Sequence, residues 1–432
     1  MSSVATLREE VTVLLQELIR VDTVNPPGNE TAAAELLRAY LEENGVECEL
    51  YAKIPERANL VARIPGGGGP RLALLSHTDT VLADADEWKL DPWSGDLRED
   101  EVWGRGALDM KGEVAASAVA LASLARDGFA PAGDLIFVAA ADEEVNVDYG
   151  LSWLCREHPD AVRADYALNE GAGERVEFGG RPFYLVATAE KMSAPFIVRT
   201  RGQSGHAAIP AFADNALLKA TAAIDKLGAY APRPMHTPET EAFFRAVTGD
   251  IPSADDAVAR VRELDPGFAR YFESLVVPTY VPTIVEASQK RNVIPGVCEV
   301  TVDSRLLPGM TPAESETLVR GVLGEGDYEL EWIEAAGGTR SPLETPLWDA
   351  IAAWVAAADP GAGLAPVSLA GFTDSHWIRE AFGTIAYGFF PMRTMSAELA
   401  NELIHSADER AHVDDLELGV DFYRFAATSL LS

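Results

Sequence analysis

The sequence predicts an α/β fold with a mostly parallel sheet, interrupted by a smaller inserted α+β domain. Short apolar runs alternate with helical stretches through residues 1–191. Three of those runs, LALLSHTDT, LIFVAAADEE and YALNEG, end in clusters of His, Asp and Glu. Between residues 192 and 306 the texture changes to turns and half-buried strands, and the first pattern then resumes. At 432 residues the chain exceeds one ordinary domain of roughly 150 residues. The expected organisation is therefore a first domain made of 1–191 and 307–432, with 192–306 inserted into it.

Apolar periodicity predicts helices over 4–20 and 30–44, the second stopped by Gly45 and both separated by the break Asn25-Pro26-Pro27-Gly28. A strand over 71–75, a helix over 113–126, and strands over 134–140 and 165–168 follow. The four glycines at 66–69 read as a short turn. In the insert, a strand over 193–200 leads into the turn-rich GQSGHAAIP, a helix over 214–227 and a strand over 298–306. In that last strand Cys298, Val300, Val302, Ser304 and Leu306 share one face. The stretch 230–282, rich in Pro and charge with some helical periodicity, is placed only loosely. Helices over 312–323 and 346–357, strands over 328–334 and 384–390, and a closing helix after Asp414 return to the first pattern.

A net charge of −33 repels phosphate backbones and anionic lipid, which excludes nucleic acid and membrane surfaces as expected partners. No apolar run reaches membrane-spanning length, and the N-terminus mixes Arg and Glu into an amphipathic pattern unlike a signal peptide. The expected compartment is the cytoplasm. Cys48, Cys155 and Cys298 are far apart and odd in number, so they read as small apolar residues and not as a disulfide or zinc framework.

In open α/β sheets ligands gather beyond the carboxyl ends of the strands, so the three polar clusters should converge. In His77-Thr78-Asp79 the outer residues share a face, and the carboxylate can accept the imidazole's second N–H, as a metal-bound His commonly requires. The glycines of WGRGALDMKG let the backbone turn sharply and deliver Asp109 just ahead of a helix. There it could bridge two cations or, in isolation, cap the helix. Asp142-Glu143-Glu144 places three consecutive acids at a strand end, where they repel one another unless cations or solvent neutralise them. Glu170 repeats that pattern, and His405 stands in ELIHSADE near the C-terminus. Two His and three or more carboxylates suit zinc, cobalt or manganese. Two divalent ions against Asp109, Glu144 and Glu170 leave a net positive centre that polarises a carbonyl and makes water a nucleophile near neutral pH. Which of Glu143 and Glu144 is ligand and which is base stays open from the residues alone.

The ordered set HTDT, GRGALDMKG, DEE, NEG, GHAAIP, RNVIPG and IHSADE resembles the M20 metallopeptidases from about residue 10 to the C-terminus. That group contains carboxypeptidases, aminoacylases, acetylornithine deacetylases and succinyl-diaminopimelate desuccinylases. The resemblance implies a zinc-exopeptidase-like catalytic domain and a lid and dimerisation domain over 192–306. It implies one zinc on His77, Asp109 and Glu170 and another on Asp109, Glu144 and His405, with Asp79 behind His77 and Glu143 as general base. His206 would reach the oxyanion, commonly across a dimer interface, while Asn292 and Arg305 would bind substrate, with Arg291 competing for the carboxylate. Where relatives often carry Gly-Gly-Thr/Ser-Asp, this chain has AGFTDSHW. Gly371, Asp374 and His376 are then expected to line the pocket, with its shape altered by Phe372. The implied reaction is hydrolysis of an N-acyl amino acid or a short peptide near its carboxyl end, by a homodimer. The alternatives are a biosynthetic deacylase of the acetylornithine or succinyl-diaminopimelate type and, more remotely, a non-catalytic metal-dependent binding protein. Retention of Glu143 argues against the binder, which needs ligands but no base.

Overall fold

Alternation of side chains along buried strands explains how the first unit is layered. In the computed structural model, which describes residues 6–432, Leu60 and Ala62, Leu72 and Leu74, and Leu135, Phe137 and Ala139 face one helical layer. Their neighbours Val61, Ala73, Leu75, Ile136 and Val138 face the other. The first layer contains the helices Leu7–Ile19, Glu30–Glu43, Lys111–Arg126, Pro346–Ala358 and Val413–Leu431. The second contains Leu151–Glu157 and Ser375–Phe382. Residues 4 and 5 of the first expected helix lie outside the described residues. That helix opens on a capping box between Thr6 and Glu9.

The sheet between the layers runs Glu47–Ala52, Ala58–Ile64, Leu135–Ala140, Leu72–His77, Tyr166–Asn169, Ile385–Gly388, Arg181–Glu190, Gly363–Leu369, and Arg175–Phe178 pairs with Arg181–Glu190. Its centre, from Leu135–Ala140 to Ile385–Gly388, is parallel. The strands Glu47–Ala52 and Ala58–Ile64 and the pairing onto Arg181–Glu190 are antiparallel, so the sheet is mixed around a parallel core.

The chain divides into two compact units, one of Met1–Thr188, Arg340–Val367 and Thr373–Ser432, the other of Ala189–Thr339 and Ser368–Phe372. The insert therefore ends at Thr339, not at 306. Helix Pro312–Leu323 and strand Tyr328–Trp332, expected in the first domain, belong to the second. The strand pairs antiparallel along Phe196–Arg201, and Val319 and Leu323 are buried in one cluster with Val198, Ala220 and Val300. The second unit is an antiparallel sheet in the order Tyr328–Trp332, Phe196–Arg201, Val297–Leu306, Met192–Ser193, Ala336–Gly337, with Thr279–Glu286 on the other side of Val297–Leu306. Cys298, Val300, Val302, Ser304 and Leu306 are all buried on one face, as their alternation predicts. The loosely placed stretch holds three helices, Pro238–Val247, Ala254–Leu264 and Pro266–Leu275, capped by Thr237, Ser253 and Asp265. Phe243 and Phe244 of the first of these helices pack against Phe268 and Phe272 of the third. No helix among the described residues is long and apolar enough to cross a membrane.

Candidate metal centre

Leu135–Ala140, Leu72–His77 and Tyr166–Asn169 are parallel neighbours, with His77 level with Ala140. Their carboxyl ends release Asp142–Glu144, His77–Asp79 and Glu170 at one edge of the sheet. Asp109 comes from the loop ahead of helix Lys111–Arg126. Gly106 turns that loop at φ +82°, where an added Cβ would sit 2.6 Å from Thr80 Cγ2. His405 follows the helix Ala397–Leu403, at φ 62°.

Asp109 lies between the two histidines. Its Oδ1 is 3.2 Å from His77 Nε2 and its Oδ2 is 3.0 Å from His405 Nε2. Glu144 Oε2 is 3.3 Å from His405 Nε2, and Glu170 Oε1 and Glu143 Oε2 are 3.7 and 4.0 Å from His77 Nε2. Donor atoms of His77, Asp109 and Glu144, and likewise of His77, Glu143 and Glu170, all fall within 4.8 Å of one another. His405 is the most open of these side chains, 49% exposed, whereas His77 is buried.

Electrostatics point to a centre short of positive charge. Burial pulls His77 down, but Glu170, Asp109 and Asp79 outweigh it and raise its pKa well above the ordinary value. Hydrogen bonds to Asp109 and Glu144 raise His405 to about 10. Burial pushes Glu170 up to about 7, and burial together with the Glu170 charge pushes Glu143 well above the carboxylate range. Burial opposes ionisation of Asp109 too, yet His405 and His77 hold it below that range. Protons are thus drawn to the positions that cations would occupy. Glu144 Oε1 is buried without a hydrogen-bond partner among the described residues, an acceptor left for something other than protein. Imidazole nitrogens and carboxylate oxygens in this arrangement fit divalent cations.

Asp79 is buried, its Oδ1 3.4 Å from His77 Nδ1, with its own carbonyl oxygen nearer at 3.1 Å. Its carboxylate also accepts from Asn25 Nδ2 at 2.9 Å and from the backbone N–H groups of Glu143 and Glu144, both at 3.1 Å. The first acid of the Asp-Glu-Glu run faces away from the cluster. Asp142, at φ 65°, accepts from Asn25, Arg57 and the Tyr149 N–H. Arg57 in turn grips buried Glu30 with two bonds at 2.6 and 2.7 Å. Asn25, Arg57 and Glu30 escaped the sequence reading, although Asn25 stands in the Asn-Pro-Pro-Gly break. Glu409 escaped it too: it accepts from Arg105 and from the N–H groups of Gly106, Leu108 and Asp109.

Asp374 is buried at the start of helix Ser375–Phe382, and burial raises its pKa well above the ordinary value. Its neighbours Thr373 and Ser375 accept from Asn169 Nδ2, each at 3.1 Å. His376 is buried against Trp377, with Glu380 3.3 Å from its Nε2. His206, Asn292, Arg305 and Gly371 belong to the second unit. There Gly205–His206 pairs with Val293–Ile294, and the Ala207 N–H donates to the Asn292 carbonyl at 3.0 Å, so His206 and Asn292 are neighbours. Arg305 lies on Val297–Leu306 with its guanidinium on Asp303, both contacts at 3.2 Å. An added Cβ at Gly371 would meet nothing within 4 Å.

Residues 73–429 match the peptidase family M20/M25/M40. A succinyl-diaminopimelate desuccinylase of Rhodospirillum centenum is 29% identical over 419 residues, 93% of this chain and 92% of its own. An N-fatty-acyl-amino acid synthase/hydrolase of Xenopus tropicalis is 26% identical over 368 residues, 81% of this chain and 70% of its own. Among solved structures, an M20 family metallo-carboxypeptidase from Sulfolobus solfataricus shares the fold at a TM-score of 0.73 and 18% identity, over 98% of this chain and 99% of that one. Human carnosine dipeptidase 1 shares it at 0.67 and 16%, over 98% and 96%. With strand ends, a glycine-turned loop and a late histidine meeting on Asp109, and with the family match spanning both halves of the centre, this chain belongs to peptidase family M20/M25/M40 and is a hydrolase of amide bonds.

Proposed function

We propose that the protein hydrolyses the amide bond of an N-acyl amino acid or a short peptide, in the manner of a carboxypeptidase, dipeptidase or aminoacylase, with two divalent metal ions. The observation that carries this reading is the Asp109 carboxylate set between His77 and His405 at 3.2 and 3.0 Å. His77, Asp109 and Glu170 would hold one ion and Asp109, Glu144 and His405 the other. Zinc is the favoured metal for this donor set, with cobalt or manganese as substitutes. When bound, the ions polarise the scissile carbonyl and lower the pKa of the attacking water.

The chain's own residues do the rest. Glu143 takes the proton from the attacking water and hands it to the leaving amine. Asp79 holds His77 from behind and orients the Glu143–Glu144 backbone through the two N–H groups it accepts. His206 supplies a donor for the oxyanion, Asn292 and Arg305 bind substrate, and Gly371, Asp374 and His376 shape the pocket. The edge strand Thr279–Glu286 leaves Val281, Ile284 and Val285 exposed, which supports a homodimer as the working form. Three unpaired cysteines fit a reducing, cytoplasmic setting.

A biosynthetic deacylase acting on succinyl-diaminopimelate or acetylornithine is the second reading, favoured by the 29% identity to a desuccinylase. Metal content by mass spectrometry on gently purified protein, paired with release of amino acids from N-acyl amino acids, dipeptides and the two biosynthetic substrates before and after chelation, tests both. About two equivalents of metal per chain with chelator-sensitive release supports the proposal, and the panel separates the two readings. Chelator-insensitive hydrolysis refutes it.

A further inference from the structure

Glu409 lies four residues beyond His405 and is 0% exposed. Its Oε2 accepts from Arg105 Nη1 at 2.6 Å and the Gly106 N–H at 3.0 Å, and its Oε1 accepts from the N–H groups of Leu108 and Asp109 at 2.8 and 3.0 Å. Its carbonyl accepts from the Gly104 N–H at 2.9 Å, and Arg410 pairs with Trp103 in an antiparallel ribbon. The segment that presents His405 is thus fastened to the loop that presents Asp109 along residues 103–109. Beyond the fastening, the two side chains meet at 3.0 Å. A carboxylate has about four acceptor positions, and here all are used. A glutamine cannot replace it, because its amide nitrogen would face N–H groups that also need an acceptor.

We infer that Glu409 is the positioning residue for the Asp109–Glu144–His405 half of the centre, holding Asp109 and His405 in register with each other. The inference rests on the two-metal reading above. Two of the three donors in that half, Asp109 and His405, depend on Glu409. In the other half only Asp109 does, since His77 and Glu170 come from strand ends that Glu409 does not touch. Loss of Glu409 therefore weakens one metal more than the other, an asymmetry that general loss of stability does not produce.

The test is a titration of the metal-free protein with cobalt(II), followed by calorimetry and by visible absorption of the bound ion. His405→Ala identifies which equivalent belongs to this half. In Glu409→Gln that same equivalent should weaken by roughly tenfold or more relative to the other, and its absorption band should change. Asp134→Asn is the control for stability. Asp134 clasps the Gly66 N–H at 2.9 Å and Arg63 at the start of Leu135–Ala140, away from the centre, and its loss should lower the melting temperature while leaving both equivalents alone. If Glu409→Gln does not fold, Glu409→Asp, which keeps the charge but falls one methylene short, carries the same comparison. A Glu409 variant that weakens both equivalents alike, or neither, overturns the assignment. Fewer than two equivalents in the unaltered protein overturns the two-metal reading and the assignment with it.

Discussion

Replacing Glu143 with Gln preserves its volume and removes the base, and the geometry says what should follow. Glu143 Oε2 stands 4.0 Å from His77 Nε2, farther than Asp109 at 3.2 Å or Glu170 at 3.7 Å, while Glu144 approaches His405 to 3.3 Å. Glu144 also carries a buried oxygen without a hydrogen-bond partner among the described residues. Yet Glu143 falls within 4.8 Å of donors on His77 and Glu170, so distance alone leaves it within reach of a cation. If Glu143 moves protons and Glu144 holds metal, Glu143→Gln keeps about two equivalents of metal and lowers kcat by about 10²–10⁴-fold, roughly 3–5 kcal/mol of barrier. KM changes little, because the carbonyl contacts remain. Glu144→Gln instead loses one equivalent together with activity. The assay is metal content and steady-state hydrolysis on each variant, using the best substrate from the panel. Unchanged hydrolysis in Glu143→Gln, or loss of metal from Glu143→Gln with retention by Glu144→Gln, refutes the division of labour.

Asp79→Asn keeps the shape behind His77 but removes its charge, and should weaken metal binding by about 10–100-fold in a zinc titration. An unchanged affinity would mean that the Asp79 carbonyl, at 3.1 Å, suffices. Arg57→Ala leaves the buried carboxylates of Glu30 and Asp142 without their shared cation and should cost about 3–5 kcal/mol in urea unfolding. A near-wild-type midpoint would show that those acids are neutralised some other way. In the second unit Lys191 donates to the carbonyls of Ser274 and Val277, and burial first, then the charge of Arg305, hold its pKa down to about 7. Between pH 7 and the ordinary lysine value of 10.5 the unfolded chain keeps this proton and the folded one does not, so stability contributed at this position rises with pH. Lys191→Met should remove up to about 5 kcal/mol of that rise across a pH series of unfolding curves; identical slopes would contradict the reading.

The centre was legible because a parallel sheet sends its strand ends to one edge, so that three apolar runs ending in His, Asp and Glu had to converge. The alternation that set Cys298, Val300 and Val302 on one face was equally local, and so was its outcome. The hairpin Glu47–Ala52 and Ala58–Ile64 eludes the sequence reading because its first strand alternates only over Glu47–Leu50, with Cys48 and Leu50 half-buried, and its second is buried on both faces and does not alternate. Arg181–Glu190, with eight consecutive buried residues, hides for the same reason. The error at 306 has a different source. Helix Pro312–Leu323 and strand Tyr328–Trp332 were recognised as elements, but which sheet a strand joins depends on a partner more than a hundred residues away, here Phe196–Arg201. Asp142 and Glu409 show the limit at single residues. Three adjacent acids look alike until a positive φ turns one of them toward Arg57, and a glutamate that serves backbone N–H groups has no local signature.

The position of Ile385–Gly388 in the middle of the sheet has a consequence for how the molecule is made. This strand sits between Tyr166–Asn169 and Arg181–Glu190, but it leaves the ribosome about 220 residues after the first of them. At ordinary rates of elongation that is a wait of roughly ten to forty seconds. Meanwhile the whole of Ala189–Thr339 is available to fold by itself, and Tyr166–Asn169 presents an unpaired, buried-type edge. His405 arrives later still. All residues of the second unit, Ser368–Phe372 included, are therefore synthesised before Ile385–Gly388, and the interval before residue 388 is when chaperones have most to protect and when stray strands have most opportunity to pair.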